Sequence, residues 1–169
     1  MKSFKTDLSS YTLRVATELD SDFVLALRNS REAVSYSPSR TRVAVSDHKG
    51  WFSDVLVSSS SYLFIGEERT TRSAPRRKVG MIRFDNLAHN NWIVSIAVAK
   101  EYRGMRLGAW LLNQGLSRLE EMNDSEPQTV TASVHEDNVP SMRLFHSEGF
   151  KENGREDRFL HLVKYLGGD

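Results

Sequence analysis

The residues best suited to chemistry lie in a short turn that reads RGMRLG (residues 103–108), between an apolar run and a leucine-rich stretch. A turn that leads from a strand into a helix presents unpaired N–H groups and the positive end of the helix dipole, and both attract phosphate oxygens. Gly104 and Gly108 have no Cβ, so a ligand can approach the backbone closely. Arg103 and Arg106 can add charge-assisted hydrogen bonds. The turn therefore predicts a phosphate-binding site; the alternative is an exposed turn whose glycines serve packing.

Several other kinds of site are excluded or disfavoured by residue type. The chain has no cysteine, which excludes a disulfide framework, a thiolate zinc site and a cysteine nucleophile. Its five histidines show no H-x-x-x-H or similar spacing, so no metal site is expected. The P-loop pattern and the G-x-G-x-x-G dinucleotide pattern are absent as well.

The hydrophobic pattern predicts the strands and helices that must position this turn. Strands are predicted where β-branched and aromatic residues nearly alternate, at Thr12–Ala16, Tyr62–Glu67, Val79–Phe84, Trp92–Val98, Thr129–Val134 and Phe159–Tyr165. Helices are predicted from Asp20 or Ser21 to about Asn29, after a Ser46 cap, along the apolar stripe from Leu107 to Met122, and from Asn138 to Gly149. Strands and helices that alternate in the second half imply an α/β protein, with a mixed sheet covered by helices.

Length and charge restrict the class of protein. With 169 residues, 39% hydrophobic and 27% charged, the sequence predicts one folded domain over residues 1–169. The 23 basic residues nearly cancel the 22 acidic ones, so neither nucleic acid nor a membrane is an expected partner. Apolar runs reach about four residues against the roughly 18 that a spanning helix needs, and residues 1–10 do not look like a signal peptide. A cytoplasmic protein is expected.

A basic segment between two predicted strands has two interpretations. Glu67–Lys78 contains several cationic side chains: Arg69, Arg72, Arg76, Arg77 and Lys78. The segment is predicted to be a solvated hairpin tip. The alternative is a loop that contacts phosphate at the edge of a substrate site.

Two segments resemble the signatures of one enzyme family, the Gcn5-related N-acetyltransferases (GNAT). Residues 94–112, VSIAVAKEYRGMRLGAWLL, are similar to the family's acetyl-CoA motif, [QR]-x-x-G-x-[GA] after a central strand. Residues 138–150, NVPSMRLFHSEGF, resemble its second signature, N-x-x-[AS]-x-x-[LF]-[YF]-x-x-x-G-F. The order of elements from Thr12 to Tyr165 matches as well. The resemblance implies a mixed, mostly antiparallel sheet of six to seven strands, helices on both faces, and two splayed parallel central strands.

The resemblance also implies that acetyl-CoA is the co-substrate and lies in the gap between Trp92–Val98 and Thr129–Val134. The backbone of Ile96 and Val98 is expected to hydrogen-bond the pantetheine arm like an added strand, and Ala97 between them is expected to line the cofactor site. The pyrophosphate is expected at the amides of Arg103, Gly104, Met105, Arg106, Leu107, Gly108 and Ala109. On the other side of the gap, the residues expected to meet the cofactor are Asn138, Ser141 and Phe145, although Asn138 could equally be a plain helix N-cap.

The sequence departs from the family pattern at two positions. Arg106 stands where the pattern has glycine, so a positive φ there would cost on the order of 1 kcal/mol. Phe145 stands where many relatives have a tyrosine that protonates the departing thiolate. Because a free thiol has a pKa of about 8.5, the thiolate is a moderate leaving group even without an acid. Water, Ser141 or His146 could serve instead, or no acid at all.

Catalysis is then expected to rest on juxtaposing the amine with the thioester and on an N–H donor for the developing oxyanion. The backbone N–H of Val98 is the expected donor. His135 is the best candidate for a general base, with His146 and Glu136 as weaker ones; the alternative is that His135 is a polar loop residue. Relatives that acetylate ribosomal-protein N-termini often have glutamate at the position of Ser133, which disfavours that subclass.

The acceptor is expected between Leu27 and Phe52, because the first two helices and the final hairpin set acceptor specificity in this family. The candidates are Arg28, Tyr36, Trp51 and Phe52, with Arg31, Arg40 and Arg42 as further cations for an anionic or nucleotide-bearing acceptor. LRN at 27–29 and H-x-x-WF at 48–52 look like relatives that acetylate nucleotide-linked amino sugars. The alternative is that these arginines face solvent and the aromatic residues belong to the core.

Three functions remain open on the sequence. The first is acetyl-CoA-dependent N-acetyltransfer to a primary amine of a small molecule, by direct attack in a ternary complex. The second is acetyltransfer to a protein N-terminus or lysine, and the third is a CoA-binding module without activity. A homodimer through an exposed strand edge is compatible with a sheet of this size but is not indicated by any residue.

Overall fold

The computed structural model describes residues 7–69, 74–123 and 126–167 of the chain. Its strands are β1 Tyr11–Val15, β2 Ser61–Glu68, β3 Arg77–Ala88, β4 Asn91–Val98, β5 Gln128–His135, β6 Lys151–Glu156 and β7 Phe159–Leu166. Its helices are α1 Ser21–Arg28, α2 Arg31–Ser35, α3 Val45–Val57, α4 Leu107–Met122 and α5 Val139–Ser147. Single 3-10 turns lie at Leu8–Ser10, Glu18–Asp20 and Lys100–Tyr102.

The strands form one seven-stranded sheet in the order β1-β2-β3-β4-β5-β7-β6. Every neighbouring pair is antiparallel except β4 and β5, which are parallel. The parallel pairing covers only Asn91–Ile93 against Thr129–Thr131. Beyond it the two strands separate, which confirms the expected mixed sheet with two splayed parallel strands.

Helix α4 packs its leucine stripe onto the centre of the sheet. Leu111, Leu112 and Leu119 are fully buried there, whereas Met122, at the end of the predicted stripe, is 46% exposed. Gly115 lets the helix approach β3 closely, because a Cβ at this position would lie 2.7 Å from the Ile82 side chain. This close packing fixes where α4 begins, beside the point at which β4 and β5 separate.

Two elements were not predicted from the sequence, and both are poor in apolar residues. Helix α2 has no buried residue and is capped by Ser30, whose side chain accepts a hydrogen bond from the N–H of Ala33. Strand β6 is exposed at every position and, among the described strands, pairs with β7 alone. Neither carries the apolar periodicity by which an element is found in a sequence.

A buried carboxylate joins the edge strand β1 to the rest of the sheet. Asp20 is fully buried and accepts two hydrogen bonds from the Arg14 guanidinium, at 2.7 and 2.9 Å. Lys78 of β3 lies 2.7 Å from the same carboxylate, and Glu67 of β2 lies 2.7 Å from Arg14. Asp20 therefore binds side chains from two strands, and its side chain does not cap α1.

The segment from Glu67 to Lys78 falls only partly within the described structure, since residues 70–73 lie outside it. Its described residues Arg77 and Lys78 belong to β3, and they are not part of a loop. In the described part of the chain, no helix is both long and apolar enough to cross a membrane.

Candidate active site

A cleft of about 930 Å³ opens where β4 and β5 separate. Its floor is β4 from Val94 to Val98, and one side is the turn before α4 together with the first turn of that helix. The end of β5 and the start of α5 form the opposite side, and α1 and α2 form the remaining wall. The cleft therefore runs from the N-terminus of α4, through the gap in the sheet, to the two N-terminal helices.

The backbone of β4 points hydrogen-bonding groups into this cleft. Residues of an antiparallel strand alternately bond to the partner strand and face away from it. Ala99 donates to the carbonyl of Val79 in β3 at 2.8 Å, so Ile96 and Val98 point their N–H and C=O groups the other way, toward β5. The pairing with β5 has ended before this point. Among the described strands, none therefore pairs with these groups of Ile96 and Val98, as the expected pantetheine contact requires.

The N-terminus of α4 is open to an anion. Its N-cap residue, Arg106, makes no side-chain capping bond, and the first turn of the helix contains no acidic residue. The first N–H groups of the helix, from Leu107 onward, have no partner within the helix. The positive end of the helix dipole is therefore not offset by a carboxylate from the first turn of the helix itself.

Arg106 adopts a left-handed backbone conformation, with φ 62° and ψ 12°. This is the conformation for which the family pattern supplies glycine, and for a residue with a Cβ it costs about 1 kcal/mol. The Arg106 side chain is exposed and Arg106 lines the cleft. The preceding Gly104 also has a positive φ of 77°, and a Cβ there would meet nothing within 4 Å.

Arg103 joins the turn to the strand before it and to the helix opposite. Its Nε donates to the carbonyl of Val98 at 3.2 Å, and its Nη1 lies 3.2 Å from the carboxylate of Glu32 in α2. The pKa of Glu32 lies below its ordinary value because its own backbone N–H and the charge of Arg103 favour the carboxylate. Glu32 could not be predicted from the sequence, because only the fold brings α2 opposite this turn.

The α5 side of the cleft supplies a cap and an apolar wall. The side chain of Asn138 accepts a hydrogen bond from the N–H of Ser141 at 3.3 Å, so Asn138 is a helix N-cap as well as a cleft residue. Phe145 is 3% exposed and lies edge-to-face against Phe150, with the ring centroids 5.0 Å apart. The position where relatives carry a tyrosine is therefore filled by a packed ring that has no proton to donate.

His135 ends β5 in the wall of the cleft and is 3% exposed. Its Nδ1 accepts a hydrogen bond from the backbone N–H of Asp137 at 3.2 Å, and Nη2 of Arg40 lies 3.4 Å from its Nε2. The rings of Tyr36 and Phe159 pack against the imidazole. Both ring nitrogens therefore face N–H donors. A neutral imidazole has one lone pair, so while Nδ1 accepts from Asp137 the ring hydrogen is on Nε2, and Nε2 can take a proton only after this hydrogen has moved to Nδ1 and Arg40 has moved away.

Two of the expected acceptor residues line the cleft and two do not. Arg28 and Tyr36 belong to its α1–α2 wall. The expectation for Phe52 is wrong, because this ring is 3% exposed in the apolar cluster under α3 and cannot stack on a ligand. Trp51 also lies outside the cleft, where it packs against the same cluster and under the guanidinium of Arg83, 4.9 Å from its ring centroid.

Three other candidates lie away from the cleft. Met105 turns its side chain into the apolar cluster around Leu107 and is not part of the cleft lining. His146 is exposed and lies 3.7 Å from Glu152, so it faces neither reactant. Glu136 is bound by Arg158 and Arg155, and the hydrogen bond from Arg158 and the nearby positive charges outweigh its desolvation and lower the pKa of Glu136.

The other predicted site residues meet in this one cleft: Ile96, Ala97, Val98, Arg103, Gly104, Arg106, Leu107, Gly108, Ala109, Asn138, Ser141 and Phe145. Tyr102 was not predicted and also lines the cleft, but its hydroxyl donates to Glu68 at 3.1 Å. Among the described residues, no three His, Asp or Glu side chains converge as metal ligands.

Each part of the cleft has groups that can bind one part of coenzyme A. The uncapped N-terminus of α4 and its two arginines suit a diphosphate, and the unpaired backbone of β4 suits the amides of a pantetheine arm. The gap between β4 and β5 gives this arm a path through the sheet, toward the wall formed by α1 and α2.

Comparison with known proteins agrees with this assignment. The model of the acetyltransferase (GNAT) family matches residues 25–150, which include both sides of the cleft. A search of curated proteins finds no match.

Solved structures of low identity share the fold. A domain from Methanocaldococcus jannaschii DSM 2661 has a TM-score of 0.79 at 19% identity, over 92% of this chain and 98% of that one. Spermidine N-acetyltransferase from Vibrio cholerae, in complex with CoA and spermine, has a TM-score of 0.76 at 18% identity, over 94% and 96%. The Salmonella typhimurium protein YncA, with its cofactor acetyl-CoA, has a TM-score of 0.68 at 18% identity, over 93% and 92%. From the family match over most of its length and from the cleft, we conclude that this chain belongs to the GNAT family of acetyl-CoA-dependent N-acetyltransferases.

Proposed function

We propose that the enzyme transfers the acetyl group of acetyl-CoA to a primary amine of a small molecule, by direct attack while both substrates are bound. The observation that carries this proposal is a single cleft that joins the α4 N-terminus to the α1–α2 wall. A cleft continuous in this way lets both substrates occupy one site, so an acetylated enzyme intermediate is not needed. Holding the two substrates side by side lowers the activation barrier, because their translational and rotational entropy is already lost on binding and not in the chemical step.

In this proposal each substrate has its own part of the cleft. The N–H groups from Arg106 to Ala109 and the side chain of Arg103 hold the diphosphate, and the backbone of Ile96 holds the pantetheine arm. Asn138 and Ser141 contact the arm from α5. When bound, acetyl-CoA supplies an activated acetyl thioester. The acceptor amine enters along the α1–α2 wall, where Arg28 and Tyr36 lie.

The N–H of Val98 is the proposed donor to the thioester oxygen. It points into the gap by the strand alternation described above, and the Val98 carbonyl is already held by Arg103. An N–H fixed in a strand stabilises developing negative charge without reorganisation. As the amine nitrogen bonds to the carbonyl carbon, the C–S bond breaks and the sulfur leaves with its electron pair as a thiolate.

His135 is the proposed acceptor of the ammonium proton, either directly or through one water molecule. It lies at the end of β5 beside the gap. For Nε2 to accept the proton, Arg40 must leave it and the ring must carry its own hydrogen on Nδ1. The leaving thiolate needs no side-chain acid, since its pKa is close to that of a free thiol. Phe145 then serves as an apolar wall of the thioester pocket.

The proposal is tested by following CoA release from acetyl-CoA with a panel of small amines and with peptides. We expect turnover with a small amine and about 10-fold or greater loss of acetyl-CoA affinity in Arg103→Glu, because the variant places a negative charge beside the diphosphate. Arg118→Glu is the matched control, because Arg118 is exposed on α4 and pairs with Glu121 outside the cleft. Turnover with peptides alone would overturn the small-molecule acceptor and indicate a protein acceptor instead. Binding without any turnover would overturn the proposed activity.

A further inference from the structure

The charged residues of the cleft are nearly all cationic. Its ionisable lining residues, within the described structure, are Arg28, Glu32, Arg103, Arg106 and His135, apart from the tyrosines. Glu32 is the one carboxylate among them, and it already pairs with Arg103 at 3.2 Å. The described lining therefore offers no free carboxylate to a cationic substrate.

Arg28 is the cation in this set that has no use in the diphosphate site. It ends α1 and lines the α1–α2 wall, across the cleft from the turn before α4. Its Nη1 is buried and is the one buried side-chain nitrogen or oxygen among the described residues that has no hydrogen-bond partner. The structure gives this guanidinium no ion pair with any described residue either.

Leaving a buried guanidinium N–H unpaired is unfavourable, because the group has lost water and gained no acceptor. A guanidinium binds planar or tetrahedral oxyanions through two parallel hydrogen bonds. Arg28 thus has the chemistry of an anchor for a carboxylate or a phosphate that enters the cleft beside Tyr36.

A second cation contacts the lining of the cleft without being part of it. Nη2 of Arg40 lies 3.4 Å from Nε2 of His135, and Tyr36 packs against that imidazole, with the ring centroids 5.7 Å apart. The positive φ of Arg40, 48°, shows a strained backbone at this contact. An anionic group in this part of the cleft would attract both arginines and would help to draw Arg40 away from His135.

We propose that the acceptor is an amine that also carries an oxyanion, a carboxylate or a phosphate, which Arg28 binds. This inference rests on the proposed acetyltransfer and narrows its acceptor class. It also excludes a simple polyamine as the preferred acceptor, although the fold is shared with a spermidine N-acetyltransferase. A polycation would bring several more positive charges to a cleft whose one lining carboxylate is already paired.

The experiment compares acceptors with the same carbon skeleton, with and without the anion, at a pH where the amine of both members is largely neutral. Glycine, leucine and phenylalanine are each compared with their amides, glucosamine 6-phosphate with glucosamine, and spermidine serves as the polycation. We expect kcat/KM to be about 10- to 100-fold higher for the anionic member of at least one pair, the difference given by a charge-assisted hydrogen-bonded contact. The amino acids and the phosphorylated sugar distinguish a carboxylate from a phosphate as the natural anion.

Variants of Arg28 test whether this residue causes the preference for an anionic acceptor. In Arg28→Gln we expect KM for the anionic member to rise about 10- to 100-fold, and KM for its uncharged partner and Kd for acetyl-CoA to stay unchanged. Arg28→Lys should restore part of the preference, because lysine keeps the charge but loses the paired geometry. Arg118→Gln should leave every constant as in the parent enzyme.

The outcomes separate this inference from the proposed function. Turnover that is equal within each pair, or highest with spermidine, would overturn the anionic acceptor and leave acetyltransfer intact. If no acceptor is turned over, calorimetry with each amine in the presence of CoA becomes the readout. Binding of the anionic members that is lost in Arg28→Gln would then support the anion site while the proposed activity fails, and equal binding within each pair would overturn the site as well.

Discussion

At the scale of single residues, Arg106 has two opposing effects. Its left-handed backbone, with φ 62°, strains the turn at the entrance to α4. Arg106 is also the N-cap residue of that helix and lines the cleft where a diphosphate is proposed to bind. Glycine would relieve the strain but remove the charge, so the arginine exchanges some stability for an electrostatic contact.

The strain and the charge can be separated with two substitutions. Arg106→Gly should raise the free energy of unfolding by about 0.5 to 1 kcal/mol relative to Arg106→Ala, because alanine keeps the Cβ that disfavours a positive φ. Both variants should weaken acetyl-CoA binding to the same degree, since both lose the guanidinium. Urea denaturation and calorimetric titration give the two quantities. Equal stability of the two variants would contradict the strain at this position.

At the scale of elements, the cleft depends on contacts between segments that are far apart in the chain. Glu32 of α2 reaches Arg103 in the turn before α4, although about seventy residues separate them. Gly80 of β3 lies against β4, because a Cβ there would lie 2.5 Å from the carbonyl oxygen of Ala97. The first contact connects the two substrate regions, and the second sets the path of the strand that forms the cleft floor.

The Glu32–Arg103 pair competes with the diphosphate for the same guanidinium. In Glu32→Gln we therefore expect acetyl-CoA to bind about two- to fivefold more tightly at low salt, as an exposed ion pair allows. The difference should shrink as salt screens it. Glu121→Gln is the control, since Glu121 pairs with Arg118 outside the cleft. Weaker binding in Glu32→Gln would mean that Glu32 orients Arg103 for the diphosphate and does not compete with it.

The closeness of β3 and β4 predicts opposite effects at two glycines. Gly80→Ala should lower the free energy of unfolding by about 2 kcal/mol and weaken acetyl-CoA binding, because the methyl group must push away the backbone of the cleft floor. Gly50→Ala, on α3 with nothing within 4 Å of its Cβ, should instead raise stability by about 0.5 to 1 kcal/mol. Thermal and urea denaturation test both. An unchanged free energy of unfolding in Gly80→Ala would show that β3 and β4 can move apart without loss of stability.

At the scale of the whole molecule, the buried Asp20 cluster joins the outer strand β1 to the part of the sheet that leads to the cleft. Burial raises the pKa of Asp20, but the hydrogen bonds from Arg14 and Lys78 outweigh it and hold the pKa well below its ordinary value. An unfolded aspartate takes up a proton near pH 4. As the pH falls through this range, the unfolded state binds a proton that the folded state does not, so stability is lost.

The cluster therefore predicts a pH dependence that one substitution reduces. The free energy of unfolding should be highest near neutral pH and should fall between about pH 5 and pH 2. Asp20→Asn should lower it by about 2 kcal/mol at pH 7, less than for a fully buried pair because Arg14 and Lys78 are partly exposed. The variant should also lose less of its stability in acid. Asp54→Asn, exposed on α3, is the control; the same acid profile in parent and Asp20→Asn would exclude Asp20 as its source.

Much of the fold, and the anion site before α4, could be predicted from short stretches of the sequence. The leucine stripe of α4, the Asn138 cap of α5 and the β-branched strands were predicted because each depends on near neighbours in the chain. The turn before α4 was predicted as an anion site for the same reason. Helix α2 and strand β6 could not be predicted from local patterns, because neither buries the regularly spaced apolar side chains that produce a hydrophobic periodicity.

The tertiary structure alone decided which of the expected acceptor residues share the cleft. Trp51 and Phe52 look like ligand-stacking residues in the sequence, but α3 turns them toward the core. Arg28 was expected at the acceptor site from its place in LRN at 27–29, but only the structure shows that its buried Nη1 is left without a partner among the described residues. Burial and unmet hydrogen bonding arise from contacts between distant segments, so neither can be read from the order of residues along the chain.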